Sequence, residues 1–558
     1  MVSAVAGCSG DDDKPSADSS PGATTASLEF DKNAFTEKTA TVPTSAGDRE
    51  ITYKLWSKLP YVSKPVDVNY QSLSIAVPTK IDGKEIDASK APILFEIPVG
   101  GYLSSEATDD PLAARMPVGG GMGGPGGGAG ANGGPQAGAS GAPGGGMPQA
   151  GASGAAGGGF PGGGASGAPG GGMPQAGASG AAGVGQNGVA TGVGSLGQNV
   201  YEAIANGWVV VTVAARGRDN KSTDGTFFGK APAVIVDLKA AVRYLRHNKA
   251  DLPGDTDKMV SDGSSAGGGV SALLGASADS DLYEKYLTEL GAADASDAIF
   301  GVAAYCPITD LDNADTAYEF LYGSLAANGQ QVDQTVSKDL SEAFPAYQDG
   351  LGLKGLDDRT LTAARYKDYL LTQYLQPSAG TYLANLSSTD RTAYLATNTW
   401  IKYSGGKARF SFADYLTHLG RRKKTEPAFD AFDLSAGENI EFGTETTDAR
   451  HFTAYSAKKD SSGTGTTVGD DIADLLTLMN PMYFIKQKNE GRAKNWFIRL
   501  GTSDTDTALT VSANLAAGFH TLGDTVDHLM YWDAGHGANE DPDKFIAWAN
   551  KITGHTAP

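Results

Sequence analysis

The chain has 558 residues and a net charge of −20, from 44 Lys plus Arg against 64 Asp plus Glu. This acidic balance disfavours nucleic acids and anionic membrane surfaces as partners of the whole chain, because both are themselves negatively charged. Two cysteines, Cys8 and Cys306, are too few for a disulfide framework, and the length allows more than one domain.

The first 27 residues are predicted to be a polar tether. Residues 5–8, which end at Cys8, resemble a bacterial lipobox, in which small residues precede a cysteine that becomes lipidated. Only seven residues precede Cys8, so the basic and apolar parts of a secretory signal are missing. Either the true start lies upstream, or Cys8 is merely an exposed thiol. From the lipobox-like residues we expect a lipidated Cys8 that attaches an extracellular protein to the cell membrane. The sequence has no other apolar run long enough to cross a bilayer.

Residues 28–115 are the first part of a predicted core. Segments 51–56 and 74–78 alternate in the manner of antiparallel strands. Residues 92–99 are a mostly apolar, buried strand that ends at Gly100 and Gly101.

Residues 116–198 are a segment rich in Gly, Ala and Pro that carries no charged residue. The same stretch of sequence occurs at 144–157 and again at 170–183. Such a composition buries little apolar surface against a high ordering entropy, so we expect a flexible loop inserted between a strand and a helix. A long insertion costs little stability, because closure entropy grows only logarithmically with length.

Strand and helix patterns alternate through residues 199–311 and again through residues 481–558. The predicted strands are 208–214, 259–262, 300–306, 495–500 and 527–532, and the predicted helices are 200–205, 234–246, 268–274, 509–522 and 543–552. This alternation predicts an α/β protein with a doubly wound, mostly parallel sheet covered on both faces. Residues 312–480 interrupt the pattern with polar, helical sequence, and we expect them to be a lid and substrate-binding insertion near the carboxyl ends of the strands.

A predicted strand, a tight turn and a predicted helix meet at residues 263–267. Ser265 lies at the centre of this pattern, with Gly263 and Gly267 on either side, as in a nucleophile elbow. Five-residue patterns of this kind recur by chance in Gly-rich chains, but here the flanking elements fit. A serine hydroxyl needs a base, which a carboxylate must orient, so a histidine and an acid should follow.

His536 is the predicted base, because it lies in a glycine-flanked loop directly after a predicted strand and before the last helix. The acid should follow strand 495–500, where Asp504 and Asp506 are both available and one of them could simply cap the next helix. Asp504 is favoured because it is nearer the strand end. The order serine, acid, histidine is that of the α/β-hydrolase fold.

A tetrahedral oxyanion needs two backbone donors. The N–H of Ala266, directly after the nucleophile, is one candidate. Gly101, in the turn after strand 92–99, is the predicted second donor, although two glycines there could also be only a turn.

These residues give the chain a resemblance to the bacterial tannases, serine esterases that release gallic acid from galloyl esters. The resemblance lies in residues 92–102, 238–277, 304–318, 424–443 and 496–537. It implies that Lys424 and Glu438, fourteen positions apart, hold the galloyl hydroxyls, that Asp504 orients the histidine, and that Asp506 touches the substrate. The alternative for Lys424 and Glu438 is a solvated pair on a charged surface.

The sequence therefore predicts a secreted or surface-tethered, monomeric serine esterase that hydrolyses galloyl esters through an acyl-enzyme, with no cofactor or metal. A feruloyl esterase or general carboxylesterase on the same fold is the nearest alternative. A non-catalytic surface-binding protein on a hydrolase scaffold is the alternative from another class.

Overall fold

A ten-stranded sheet runs through the computed structural model, which describes residues 25–113, 196–463 and 467–558. In chain order the strands are β1 (Thr36–Thr44), β2 (Gly47–Pro60), β3 (Ser72–Ile81), β4 (Lys84–Glu85), β5 (Ile93–Ile97), β6 (Val209–Val213), β7 (Met259–Ser264), β8 (Gly301–Tyr305), β9 (Lys402–Ser404), β10 (Lys407–Arg409), β11 (Asn495–Gly501) and β12 (Thr525–Tyr531). The order across the sheet is β1-β2-β3-β6-β5-β7-β8-β11-β12, with β4 paired to β3, while β9 and β10 form a separate hairpin.

The sheet is antiparallel at one side and parallel over the rest. The pairs from β1 to β6 through β2 and β3 are antiparallel, and every pair from β6 to β12 is parallel. Strands buried on both faces carry continuous apolar runs, and all five residues of β6 are buried. The predicted doubly wound, mostly parallel α/β fold is confirmed.

Helices cover the sheet and fill the insertion between β8 and β11. In chain order they are α1 (Leu196–Ala205), α2 (Ala233–His247), α3 (Ala266–Ala276), α4 (Glu284–Leu290), α5 (Leu311–Tyr322), α6 (Gln334–Leu351), α7 (Ala363–Leu370), α8 (Gln376–Asn385), α9 (Ser388–Thr397), α10 (Phe412–Leu419), α11 (Gly437–Glu441), α12 (Ala454–Lys458), α13 (Ile472–Met479), α14 (Pro481–Lys486), α15 (Leu509–Thr521) and α16 (Pro542–Thr553). A 3₁₀ turn lies at Asp281–Tyr283 and a π-helical turn at Leu371–Leu375. Among the described residues, no helix combines the length and the apolar character needed to cross a membrane.

Two hydrophobic clusters lie on opposite faces of the sheet. Val209 and Val211 of β6 belong to one cluster and Val210 to the other, because side chains alternate along a strand. Helices α2, α3 and α15 contribute to the first cluster, and α1 and α16 to the second. Both faces of the sheet are therefore covered, as a mostly parallel sheet requires.

The mainly helical insertion predicted at residues 312–480 is present between β8 and β11 and contains helices α5 to α13. The hairpin of β9 and β10 within it was not predicted, since each strand has only three residues. Helix α1 begins at Leu196, inside the range 116–198 predicted as low-complexity loop.

Cys8 and the repeats at 144–157 and 170–183 lie outside the described residues. Every residue that the structure describes belongs to one compact unit.

The topology places a crevice at the carboxyl ends of β5 and β7. From β5 the chain goes to β6 on one side, and then returns as β7 on the other side. Ligands bind at such reversals in open α/β sheets. Since Ile97 pairs with Gly263, the turn after β5 and the turn after β7 emerge side by side.

Candidate active site

Ser265 occupies a strained turn between β7 and α3. Its backbone has φ 61° and ψ −126°, a conformation that is costly for any residue with a side chain and that clusters at functional sites. Its hydroxyl does not cap α3. The side chain is therefore available to a partner outside its own turn.

The glycines around Ser265 are required by close packing of backbone rather than by unusual dihedral angles. A Cβ atom added to Gly263 would lie 2.3 Å from the carbonyl oxygen of Gly267, and one added to Gly267 would lie 2.6 Å from that of Val99. Neither glycine has a positive φ. Glycine is needed at both positions because β5, β7 and α3 approach too closely for a side chain.

Ser265, His536 and Asp504 lie in hydrogen-bonding contact. The Ser265 Oγ is 2.8 Å from His536 Nε2, and His536 Nδ1 is 2.8 Å from Asp504 Oδ2. Asp504 is fully buried, and its Oδ1 also accepts the N–H of Asp506 at 2.8 Å. This arrangement assigns Nδ1–H as the donor to Asp504, which leaves Nε2 to accept the serine proton.

The surroundings of His536 set its proton affinity. Burial by itself lowers the pKa of His536, but the carboxylate of Asp504 and the hydrogen bond to it outweigh burial and raise that pKa above its ordinary value. A base whose protonated form is stabilised by a carboxylate suits proton transfer from serine.

Cys306 lies close to the histidine. Its Sγ accepts the N–H of Gly537 at 3.1 Å, and burial raises the pKa of this thiol. Among the described residues, Cys306, Asp504 and His536 are the one group whose ligand atoms, all within 4.8 Å of one another, could hold a metal ion. Both nitrogens of His536 already have partners, Ser265 and Asp504. The expectation of metal-free chemistry stays a prediction.

The loops that carry Asp504 and His536 are joined by backbone contacts. Ser503 N–H donates to the carbonyl oxygen of Ala534 at 2.9 Å, and Asp533 N–H donates to Thr502 Oγ1 at 2.8 Å. A Cβ atom on Gly501 would lie 2.2 Å from the Ala534 oxygen, so only glycine allows this approach. Acid and base are thereby held at a fixed separation.

Three tyrosines from the insertion hold these two loops, and none of them was predicted as a site residue. Tyr415 donates to the carbonyl oxygen of Thr502 at 2.7 Å, and Tyr318 donates to that of Thr505 at 2.6 Å. Tyr394 donates to the carboxylate of Asp533 at 2.5 Å. Nothing in the sequence marks these tyrosines, because each contact joins residues that are distant along the chain.

Lys424 and Glu438 lie against each other at the inner side of the insertion. Their Nζ and Oε1 atoms are 3.5 Å apart, with 21% and 11% of the side chains exposed. This low exposure favours a pair enclosed by the protein over a solvated surface pair. The Lys424 ammonium also lies 3.6 Å from the ring centroid of Phe429.

Asp506 lies between the predicted triad and the insertion. Its Oδ2 is 4.0 Å from His536 Nδ1, and its Oδ1 accepts a hydrogen bond from Lys423 at 2.6 Å. Tyr318 brings the neighbouring Lys424 close as well, since its hydroxyl accepts the N–H of Lys424 at 3.3 Å while donating to the acid loop. The structure thus places the predicted residues near one another, with the addition of Lys423.

The predicted oxyanion donors also lie at the crevice. Ala266 is the first residue of α3, where N–H groups have no intrahelical acceptor. Gly101 lies in the turn after β5 with φ 59°, and its carbonyl oxygen accepts a hydrogen bond from Arg218. Within the described residues, the N–H groups of Ala266 and Gly101 donate to no protein acceptor.

A family model and a curated relative match part of the chain, and solved structures match nearly all of it. The family model BD-FAE matches residues 186–343. Esterase LipQ of Mycobacterium tuberculosis is 33% identical over 115 residues, which are 21% of this chain. The chain spans about a quarter of the length of that curated relative, 24%.

Solved structures match much more of the chain. The native tannin acyl hydrolase from Lactobacillus plantarum is 28% identical with a TM-score of 0.71, covering 94% of this chain and 98% of that one. Fusobacterium nucleatum tannase is 27% identical with a TM-score of 0.70, covering 94% and 99%. A tannin acyl hydrolase in complex with ethyl gallate matches at 28% identity and a TM-score of 0.72. With this likeness along nearly all of both chains, and with a serine, histidine and acid in contact, the chain is a tannase-like serine esterase with the α/β-hydrolase fold.

Proposed function

We propose that this protein hydrolyses esters of gallic acid and related polyhydroxybenzoic acids, with Ser265 as nucleophile, His536 as base and Asp504 as its orienting acid. The substrate class is supported by Asp506, whose carboxylate lies 4.0 Å from His536, and by the enclosed pair of Lys424 and Glu438. The N–H of Lys424 contacts the same Tyr318 hydroxyl that donates to the acid loop at Thr505. The similarity to a tannin acyl hydrolase in complex with ethyl gallate also supports this substrate class.

The chemistry of the galloyl ring fits this group. A trihydroxyphenyl ring offers three hydroxyls, each of which donates and accepts a hydrogen bond. In the described structure, the one hydrogen-bond acceptor of the Lys424 ammonium is Glu438 at 3.5 Å, which leaves N–H donors for a ligand. The carboxylates of Glu438 and Asp506 would accept phenolic O–H groups, and such charge-assisted hydrogen bonds are strong.

Catalysis would proceed through an acyl-enzyme. The Ser265 Oγ bonds to the ester carbonyl carbon while its proton passes to His536 Nε2, and the imidazolium then protonates the departing alcohol. Water next attacks the acyl carbon, giving its proton to His536, and the Ser265 oxygen leaves and is reprotonated as the acid is released. The N–H groups of Ala266 and of the turn at Gly101 stabilise the oxyanion in both steps.

The test is hydrolysis of three methyl esters, methyl gallate, methyl ferulate and methyl butyrate, which share a leaving alcohol. We expect methyl gallate to have the highest kcat/KM, because only its ring can satisfy all three charged groups. A higher kcat/KM for methyl ferulate would favour a feruloyl esterase, and equal values would favour a general carboxylesterase.

Neutralising the three recognition residues should damage only galloyl turnover. Lys424→Met, Glu438→Gln and Asp506→Asn are each expected to lower kcat/KM for methyl gallate by about 10- to 100-fold, the cost of losing a charged hydrogen bond. Methyl butyrate, which has no hydroxyl to bind, should be hydrolysed at nearly the original rate. Lys407→Met, in the exposed hairpin of the insertion, is the control. An equal decrease in kcat/KM for both esters would contradict the proposal that these residues bind the galloyl hydroxyls.

We further propose that the protein is attached to the cell membrane through lipidated Cys8. The support is the sequence of residues 5–8 and the polar residues that follow. Metabolic labelling with an alkyne fatty acid should modify the full-length protein and not its Cys8→Ser variant. Equal labelling of both proteins, or of neither, would remove the proposal.

A further inference from the structure

A tight turn follows β5 at the edge of the crevice. Leu103 N–H donates to the carbonyl oxygen of Gly100 at 3.0 Å, and Gly101 and Tyr102 between them have φ values of 59° and 57°. Two consecutive positive φ angles define a type I′ turn. A tyrosine in this conformation is uncommon, so other contacts must maintain it.

Arg218 holds this turn from one side. Its backbone N–H donates to the carbonyl oxygen of Tyr102 at 2.9 Å, and its Nε donates to that of Gly101 at 2.7 Å. The position of Arg218 is itself fixed, because its carbonyl oxygen accepts the ammonium of Lys230 at 2.8 Å. One residue thus binds both carbonyl groups at the centre of the turn.

Because the Gly101–Tyr102 peptide group is planar, the bond from Arg218 to the Gly101 oxygen also fixes the direction of the Tyr102 N–H. A trans peptide is planar, and its C=O and N–H bonds point in opposite directions. With the Gly101 oxygen bound to Arg218, the N–H of Tyr102 must point away from the guanidinium. Tyr102 is only 3% exposed, yet its N–H donates to no described residue. Buried N–H groups without a partner are rare, and a ligand oxygen is one way to satisfy them.

The side chain of Tyr102 fixes the turn against the nucleophile elbow. Its hydroxyl donates to the carbonyl oxygen of Ile308 at 2.9 Å, and Ile308 N–H in turn donates to the carbonyl oxygen of Ser265 at 3.3 Å. The unpartnered N–H of Tyr102 therefore belongs to a turn anchored beside Ser265.

Arg218 also touches the insertion. A Cβ atom on Gly437 would lie 3.0 Å from Arg218 Nη2 and 3.1 Å from Cζ, so the guanidinium packs directly on the start of α11. Helix α11 carries Glu438. Burial raises the pKa of Glu441 on the same helix to about 8, and the positive charge of Arg218 opposes that rise. The same side chain thus meets the turn after β5 and the helix that bears a proposed ring ligand.

We propose that Arg218 is a positioning residue that orients the Gly101–Tyr102 peptide, so that Tyr102 N–H, rather than Gly101 N–H, joins Ala266 N–H in binding the oxyanion. This inference rests on the proposed function, because it takes Ser265 as the nucleophile. In this role Arg218 helps to stabilise the transition state and does not contribute to substrate binding. Its loss should therefore lower kcat and leave KM nearly unchanged.

The test compares Arg218→Met and Arg218→Lys with the original protein on methyl butyrate and methyl gallate. Removing an oxyanion donor lowers kcat by about 100- to 1000-fold. The Arg218 variants keep the Tyr102 N–H but orient it less well, so the decrease in kcat should be smaller, about 10- to 100-fold. We expect the Met variant to lose this much kcat on both esters. The Lys variant, which keeps one donor, should lose less. Arg409→Ala, an exposed arginine on β10, is the control.

Chemical rescue separates positioning from folding. Arg218 is half-buried, so guanidinium ion at low concentration should reach the gap in the Met variant and restore part of its kcat, while leaving the original protein unchanged. A Met variant with full kcat, a loss confined to KM, or a loss that neither Lys nor guanidinium reduces would overturn the proposal. If circular dichroism shows that the Met variant is unfolded, Arg218→Gln is judged by the same criteria.

The variant Ser265→Ala distinguishes failure of the proposed function from failure of the role proposed for Arg218. Retained turnover in Ser265→Ala would remove the proposed function and this inference together. An inert Ser265→Ala beside an unaffected Arg218→Met would remove only the inference.

Discussion

Ser265→Ala is expected to abolish hydrolysis of every ester that the protein accepts. In another serine hydrolase with this triad, removal of the nucleophile costs about 10⁶-fold in kcat. Here Ser265 Oγ is the atom that contacts His536 Nε2, and alanine leaves the histidine without a hydroxyl to activate. The measurement is kcat for methyl gallate and methyl butyrate, with circular dichroism to show that the fold is retained.

The neighbouring serine provides the matched control. Ser264 is buried at the end of β7, and its hydroxyl has no hydrogen-bond partner in the described structure. Ser264→Ala should therefore keep nearly full activity. Equal losses in the two variants would show that the elbow, and not one hydroxyl, was damaged.

Covalent labelling separates an enzyme from a binding protein on the same scaffold. A fluorophosphonate probe should modify the original protein at Ser265 and should not modify Ser265→Ala, because an activated serine attacks phosphorus. Absence of labelling in the original protein would support the non-catalytic alternative.

Asp504→Asn is expected to lower kcat by about 10⁴-fold with little change of structure, as the same exchange does in another triad. If the amide oxygen keeps the N–H of Asp506, the NH2 group takes the place of the oxygen that lies 2.8 Å from His536 Nδ1, and this donor favours the wrong tautomer. The measurement is kcat for methyl butyrate. Asp358→Asn is the control, because Asp358 also contacts a histidine, His520, at 2.9 Å, but on the exposed surface.

The same variant should shift the dependence of activity on pH. The Asp504 carboxylate raises the pKa of His536, and a base must be neutral to accept a proton, so activity falls as the pH drops through that pKa. Removing the charge lowers the pKa of His536, and the acid limb of kcat/KM should move to lower pH. A shift of the acid limb to higher pH, or a decrease in kcat well below 10-fold, would contradict the role of Asp504.

The order of strands and helices along the chain could be predicted because the spacing of apolar residues follows which side chains are buried. Strands β5 to β8, β11 and β12 are short apolar runs, and their predicted positions agree with the structure to within a few residues. Strand β1 was missed because it shows almost no apolar alternation, with six of its nine residues exposed. A strand that pairs at the edge of a sheet needs backbone contacts more than an apolar face.

The predicted triad could be identified because its residues sit at strand ends in a fixed chain order. The contacts that support it could not, since Tyr415 and Thr502 are 87 residues apart and Tyr318 and Thr505 are 187 apart. No local pattern encodes pairings over such separations. The same limit hid Arg218, whose partner Gly101 lies 117 residues earlier along the chain.

Galloyl specificity is tested by comparing methyl gallate with methyl benzoate, which carries the same ester and leaving alcohol but no ring hydroxyls. Release of the acid is followed by liquid chromatography with the full-length protein. A bare ring forms none of the hydrogen bonds that Lys424, Glu438 and Asp506 would make with ring hydroxyls, so we predict a kcat/KM for methyl gallate higher by about 10³-fold or more. Comparable values for the two esters would contradict a galloyl esterase.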